Sequence, residues 1–171
     1  MVTTLPDVRR ARDLAERVPD PELPMLTLAD LGVLRSVEVG ADGTVVASLT
    51  PTYSGCPAMA EMRAAVAARL TAAGYPRVEV RTVLDPPWTT DWITPAGRRK
   101  LAEHGIAPPG PAPRHAPGPV PLVLSPARRA VACPRCGSQD TEETSRFGAT
   151  SCKALWRCLA CREPFEYVKE I

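Results

Sequence analysis

Residues 44–84 read TVVASLTPTYSGCPAMAEMRAAVAARLTAAGYPRVEVRTVL. Thr44 to Leu49 is rich in β-branched and small apolar residues and predicts a strand. Thr50 to Gly55 reads as a loop. From Pro57 to about Ala73 the apolar residues Met59, Met62, Val66, Leu70 and Ala73 recur at helical spacing, and Gly74 stands where a helix ends. Val78 to Leu84 predicts a further strand, with Val78, Val80, Thr82 and Leu84 on one face.

Working outward, Leu31 to Val39 predicts a strand joined to the one at Thr44 by Gly40-Ala41-Asp42-Gly43, which has hairpin-turn chemistry. Near the start, Thr4 is the expected cap of a helix with Pro6 in its first turn and Val8, Ala11, Ala15 and Val18 on its apolar side. Pro19, Pro21 and Pro24 stop it. After residue 84, Thr94 is the expected cap of a helix from Pro95 to His104, closed by Gly105. The order α-β-β-α-β-α predicts an α+β fold, a small α/β sandwich. Eight of the 20 prolines fall between Ala107 and Pro126, a composition incompatible with a helix or a central strand. The chain therefore divides into an N-terminal domain at 1–106, a Pro-rich linker at 107–127 and a small module at 128–171.

Composition narrows the function classes. The 171 residues carry a formal net charge of +2, which does not advertise nucleic-acid binding over the whole surface. The C-terminal module is locally basic, through Arg128, Arg129, Arg135, Arg146, Lys153 and Arg157. Aromatic interleaving is sparse, however, and a solvated face is the favoured reading over nucleic-acid binding. No apolar run reaches the roughly 20 residues of a membrane span. The segment from Met1 to Arg17 lacks the apolar core of a secretory signal. The expected location is cytoplasmic, where the six cysteines stay reduced and read as metal ligands or reactive thiols.

Four of these cysteines are spaced C-x2-C, 21 residues, C-x2-C: Cys133, Cys136, Cys158 and Cys161. Each pair forms a tight turn presenting two thiolates, and two such turns complete a tetrahedral shell suited to zinc. A rubredoxin-like iron site or an iron–sulfur cluster uses the same ligands, and two unrelated pairs or a redox dithiol stand as the blander alternative. A closed tetrathiolate has no open position for catalysis. It points to a zinc-ribbon module with a structural or partner-docking role.

Cys56 precedes Pro57 at the expected start of the central helix, where unpaired N–H groups favour a thiolate. A reactive or metal-binding thiol and an inert buried cysteine are both open there. Asp20 and Glu22 form an acidic motif with Pro21, and Asp30 reads as a cap. Trp88 and Trp92 sit in a proline-rich loop, either near a functional site or closing the core. Cys152, beside Lys153, is an auxiliary thiol or a small buried residue.

The run DPELPMLTLADLGVLRSVEV, then TPTYSGCP before a helix, then LDPPWTTDWITPAGRRKLAEHGI resembles the SufT-like family of iron–sulfur assembly factors. The ending CPRCGSQDTEETSRFGATSCKALWRCLACREPFEYVKEI resembles the C-terminus of the PaaD family of phenylacetyl-CoA 1,2-epoxidase systems, which joins such a domain to a four-cysteine ribbon. What the resemblance implies is an accessory protein of aerobic phenylacetate catabolism that matures or repairs an iron–sulfur cluster of the reductase component. Cys56, with Asp20 and Glu22, would form a transient site for a cluster. The expected partners are the reductase or other epoxidase subunits, with a homodimer as a further option. The alternative is a structural or regulatory subunit with no part in cluster handling. His104 and His115 are the two histidines, and neither lies in an ExxH arrangement, so the chain is not the oxygenase itself, nor an enzyme on this reading.

Overall fold

The computed structural model describes residues 7–53, 55–113 and 131–171. The expected cap Thr4, Pro6, linker residues 114–127, and Arg128 and Arg129 lie outside the described residues. The chain forms two compact units, Met1–Lys100 and Leu101–Ile171. The division therefore falls six residues before the boundary expected at 106.

In the first unit, helix α1 (Val8–Glu16) is capped by Asp7, not by Thr4. The Asp7 Oδ1 accepts from the backbone N–H of Arg9 at 2.9 Å and of Arg10 at 3.2 Å. Ala11 and Ala15 bury its inner face, and the Tyr75 hydroxyl donates to the Asp7 carbonyl at 2.9 Å. Strands β1 (Leu34–Val39) and β2 (Val45–Leu49) pair antiparallel through the expected glycine turn, where Gly43 adopts φ +80°. Helix α2 (Met59–Ala72) buries Met62, Val66 and Leu70 at helical spacing. Strand β3 (Val78–Thr82) then pairs parallel to β2, giving the order β1-β2-β3.

All three strands are shorter than expected, β2 by Thr44 alone and the other two by more. Residues 31–33 turn into β1, because Gly32 sits at φ +68° and a Cβ there would lie 2.6 Å from the Trp92 Cβ. Past Thr82, Val83 donates its N–H to the Leu49 carbonyl at 2.8 Å, but Leu84, expected to continue the strand on the same face as Val80, lies beyond it and is exposed. After a single 3-10 turn (Thr90–Trp92), helix α3 (Pro95–Glu103) starts on its expected cap: the Thr94 Oγ1 accepts from the Gly97 N–H at 2.9 Å.

Asp30 ties this first unit together. Its carboxylate accepts from the Thr27 N–H at 3.0 Å, the Thr27 hydroxyl at 3.1 Å and the Lys100 ammonium at 2.6 Å. Its own carbonyl accepts from the Thr94 N–H at 2.9 Å. Burial alone pushes its carboxyl up, but Lys100 and the Thr27 donors together hold it below the ordinary 3.8. A depressed folded-state pKa stabilises the fold above the ordinary value and loses that contribution as pH falls through the lowered one. Asp30→Asn is expected to destabilise the protein at pH 7 by about 1–3 kcal/mol in denaturant titrations. The gap to wild type should shrink as the pH drops below the ordinary carboxylate range.

In the second unit, strands β4 (Ile106–Ala107), β7 (Pro164–Val168), β6 (Lys153–Cys158) and β5 (Thr141–Ser145) lie side by side in that order. Residues 106 and 107, expected to end the first domain and begin the linker, are drawn into this sheet by pairing with Glu166 and Tyr167. Ala154, Trp156 and Cys158 alternate inward on β6, opposite Phe165 and Tyr167 on β7, and Trp156 meets Tyr167 edge-on at 5.8 Å. With Ala107, Val131 and Cys133 these make a buried cluster of eight among the described residues. No described helix is long and apolar enough to cross a membrane.

Candidate metal centre and the Cys56 end of the sheet

The two C-x2-C segments fold alike. The Cys133 N–H donates to the Ser138 carbonyl and the Cys158 N–H to the Glu163 carbonyl, each at 2.9 Å. The residue after each second cysteine is left-handed: Gly137 at φ +74° and Arg162 at φ +67°. These turns bring the four sulfurs within 4.8 Å of one another, with Cys133–Cys161 at 3.8 Å and Cys136–Cys158 at 3.6 Å. A tetrahedral ion with metal–sulfur bonds of about 2.3 Å requires sulfurs about 3.8 Å apart, so the four side chains fit a zinc-sized ion. Cys133 and Cys158 are buried, while Cys136 and Cys161 are exposed.

The electrostatics make the same case for a cation. The Cys161 N–H, donating to the Cys158 Sγ at 3.4 Å, is the main reason that Cys158 is lowered to about 7. At Cys161, the Glu163 N–H favours the thiolate, yet burial and the three neighbouring sulfurs push it up to about 12. Four thiolates do not coexist here without a positive ion to hold them.

Arg162 occupies the position where the first turn has glycine. A left-handed side-chain-bearing residue costs about 1–2 kcal/mol, and glycine returns part of that through its freer unfolded chain. Arg162→Gly is therefore expected to stabilise the ribbon by up to about 1 kcal/mol, read as a higher Tm.

The other candidate residues lie in the first unit. Leu34 begins β1 opposite Leu49, the last residue of β2, and Thr82 ends β3 beside the same residue. The segments before β1, after β2 and after β3 therefore leave one end of the sheet, the end where the parallel pair finishes. Hydrogen bonds that join them include Thr50 N–H to the Val33 carbonyl at 2.9 Å, Val83 N–H to the Leu49 carbonyl, and the Trp88 indole N–H to the Leu31 carbonyl at 2.9 Å.

Cys56 stands on the second of these segments, half-buried. Its N–H donates to the Tyr53 carbonyl at 3.1 Å and its carbonyl accepts from the Met59 N–H at 3.4 Å. That turn places Cys56 two residues before the N-cap, which is Ala58, whose own side chain makes no capping bond. The first turn of α2 brings N–H groups and a partial positive charge close to the cysteine's segment.

Asp20 is buried in the first segment, where its Oδ1 accepts from the Glu22 N–H at 2.9 Å and the Leu23 N–H at 2.8 Å. It closes a local turn, and Glu22 beside it is exposed. Trp88 is buried and serves the core. Trp92 is half-buried, with the Arg35 guanidinium 3.6 Å from its ring centroid. Among the described residues, the four-cysteine group is the one set of three or more His, Cys, Asp or Glu side chains able to share an ion. Asp20, Glu22 and Cys56 do not form such a set, and Cys152 stays outside the cluster, its Sγ 3.1 Å from the Thr150 hydroxyl.

The sequence did not single out Thr50. It is buried, and its hydroxyl has no hydrogen-bond partner, at the point where β2 hands over to the cysteine's loop. A threonine ending a strand gives no local sign of this.

Residues 10–84 match the family described as "Iron-sulfur cluster assembly protein", and residues 118–169 match "PaaD zinc beta ribbon domain". An Escherichia coli (strain K12) protein, named as the "putative" D component of 1,2-phenylacetyl-CoA epoxidase, is 46% identical over 164 residues, covering 96% of this chain and 93% of its own. A "Fe-S protein maturation auxiliary factor" of Porphyromonas gingivalis (strain ATCC BAA-308 / W83) is 33% identical over 76 residues, or 44% of this chain and 71% of that protein. Among solved structures, a domain of unknown function (DUF59) from Bacillus anthracis aligns with a TM-score of 0.51 at 25% identity, covering 55% of this chain and 90% of that one.

Proposed function

The chain belongs to the PaaD family, the D components of 1,2-phenylacetyl-CoA epoxidase systems, and from that premise we propose that it is an accessory protein of the epoxidase system that builds or repairs the iron–sulfur cluster of the reductase component. The observation that carries this reading is the grouping of three loops at one end of the first unit's sheet, with the half-buried Cys56 just before the start of α2. The partial positive charge of the helix start suits a thiolate, and loops gathered at one end of a sheet are where functional residues concentrate.

Cys56 supplies one thiolate to a cluster that is cargo and not a resident group. Asp20 shapes the adjoining loop, and Glu22 on its surface meets the incoming cluster or its carrier. The remaining ligands come from the client protein or from a second copy of the chain, since the described residues offer no three-ligand set at this end. An incomplete ligand set suits transfer, because the cluster is released when the client completes its coordination. In the second unit, Cys133, Cys136, Cys158 and Cys161 hold zinc, whose chemistry here is to fix the fold of the ribbon.

Element-resolved metal analysis of protein purified without oxygen tests this division of labour. Wild type and Cys56→Ser should both carry one zinc per chain, with iron in the wild type alone. Iron retained by the variant at the wild-type level would refute the assignment of Cys56.

A further inference from the structure

We propose that the outer face of the β5–β6 hairpin, from Phe147 to the groove beside Leu155, docks another protein component of the epoxidase system, one that presents apolar side chains flanked by carboxylates. The docking surface rests on the family function proposed above and adds the place where the partner binds.

Phe147 is 61% exposed, in a loop that is well fixed. The Ser145 hydroxyl donates to the Phe147 carbonyl at 2.8 Å, and the Gly148 N–H donates to the Lys153 carbonyl at 2.8 Å. The Lys153 N–H donates in turn to the Thr150 carbonyl at 3.1 Å. The ring therefore contributes little to the core of its own unit, yet it is held ready for contact. An exposed aromatic on a pre-organised loop has the character of a binding hot spot, since little ordering is left to be done on association.

The apolar surface continues along the hairpin. Ser145 pairs with Leu155, which is 39% exposed on the face opposite the buried Trp156. Beside Leu155 lies a groove of about 430 Å³, also lined by Ile106, Thr144, Pro164 and Glu166. The Phe147 loop abuts this groove: a Cβ on Gly148 would lie 3.5 Å from the Glu166 carboxylate.

Charge selects the occupant. The groove's carboxylate, Glu166, is neutralised by the Lys153 ammonium at 2.8 Å. Two cations remain at the rim: exposed Arg146, and Lys169, whose ammonium stands 4.6 Å from the Phe147 ring centroid and donates to the Arg146 carbonyl at 3.2 Å. An apolar anchor with acidic neighbours complements this surface. A single exposed ring with two flanking cations lacks the series of stacking platforms that a nucleic-acid strand requires.

The test uses the full chain co-expressed with the other epoxidase components, with affinities then measured on the identified partner. Phe147→Ser and Arg146→Glu should each weaken binding at least tenfold, with metal content and circular dichroism unchanged. Arg69→Gln, on the exposed end of α2, should leave binding as in the wild type. A photocrosslinking residue at position 147 should label the same partner. Equal binding by wild type and Phe147→Ser would overturn the docking surface while leaving the proposed function standing. Absence of wild-type binding to any component would overturn both. Crosslinking only to a second copy of the chain, or to nucleic acid, would overturn the docking surface.

Discussion

Chelating the metal from the ribbon, or replacing Cys158 by alanine, is expected to unfold the second unit and leave the first unit folded. Among the described residues, the second unit's sheet has a buried cluster of eight, two of which, Cys133 and Cys158, are themselves metal ligands. Modules of this size rarely hold together on apolar burial alone. A structural zinc supplies about 10–16 kcal/mol at neutral pH, as much as or more than the entire stability of an ordinary domain. Cys158 is the most damaging ligand to lose, because it is fully buried at the end of β6 and accepts the Cys161 N–H that shapes its turn. Trp156 reports on the ribbon core, and Trp88 and Trp92 report on the first unit. NMR amide dispersion on chelation should collapse for residues 131–171 and persist for residues 7–100. Dispersion that survives metal removal in the ribbon would count against a structural ion.

Much of the fold was legible because its strongest signals are local. Met62, Val66 and Leu70 mark α2 by spacing alone, and the alternation of β2 and the Gly40–Gly43 turn leave little choice for the hairpin. The cysteine spacing likewise announces two matching turns. What escaped the sequence depends on distant partners. Residues 31–33 look like strand, yet Gly32 turns because Trp92 packs against it some 60 positions away. Ile106 and Ala107 look like the end of one domain, yet they pair with Glu166 and Tyr167. Asp7 competes with Thr4 for the same helix start, and only the observed carboxylate bonds decide between them. At the Cys56 end, the sequence named the cysteine and the acidic motif. That Asp20 is occupied by its own turn, and that Thr50 carries an unpartnered hydroxyl, emerges only from packing.

Cys56→Ser is expected to abolish cluster delivery while changing stability by less than about 0.5 kcal/mol. The fold uses the backbone of this residue, through the Tyr53 carbonyl and the Met59 N–H, and serine preserves both bonds. The side chain is half-buried and lies two residues outside the helix cap, so the near-isosteric change opens no cavity. The chemistry does change: a serine hydroxyl does not ionise at neutral pH and is a poor ligand for iron where a thiolate is a good one. The ribbon's metal should be untouched, because its four ligands are all in the second unit. A variant that folds normally, keeps its ribbon metal and still fails in function would locate the loss at Cys56.

The most direct measurement is the iron and acid-labile sulfide content of the reductase component isolated from cells carrying either the wild-type chain or Cys56→Ser. The expected result is a fully loaded reductase with the wild type and a reductase lacking its cluster with the variant, at equal levels of both proteins. A reductase with its full cluster in cells carrying Cys56→Ser would contradict the placement of the functional centre at Cys56.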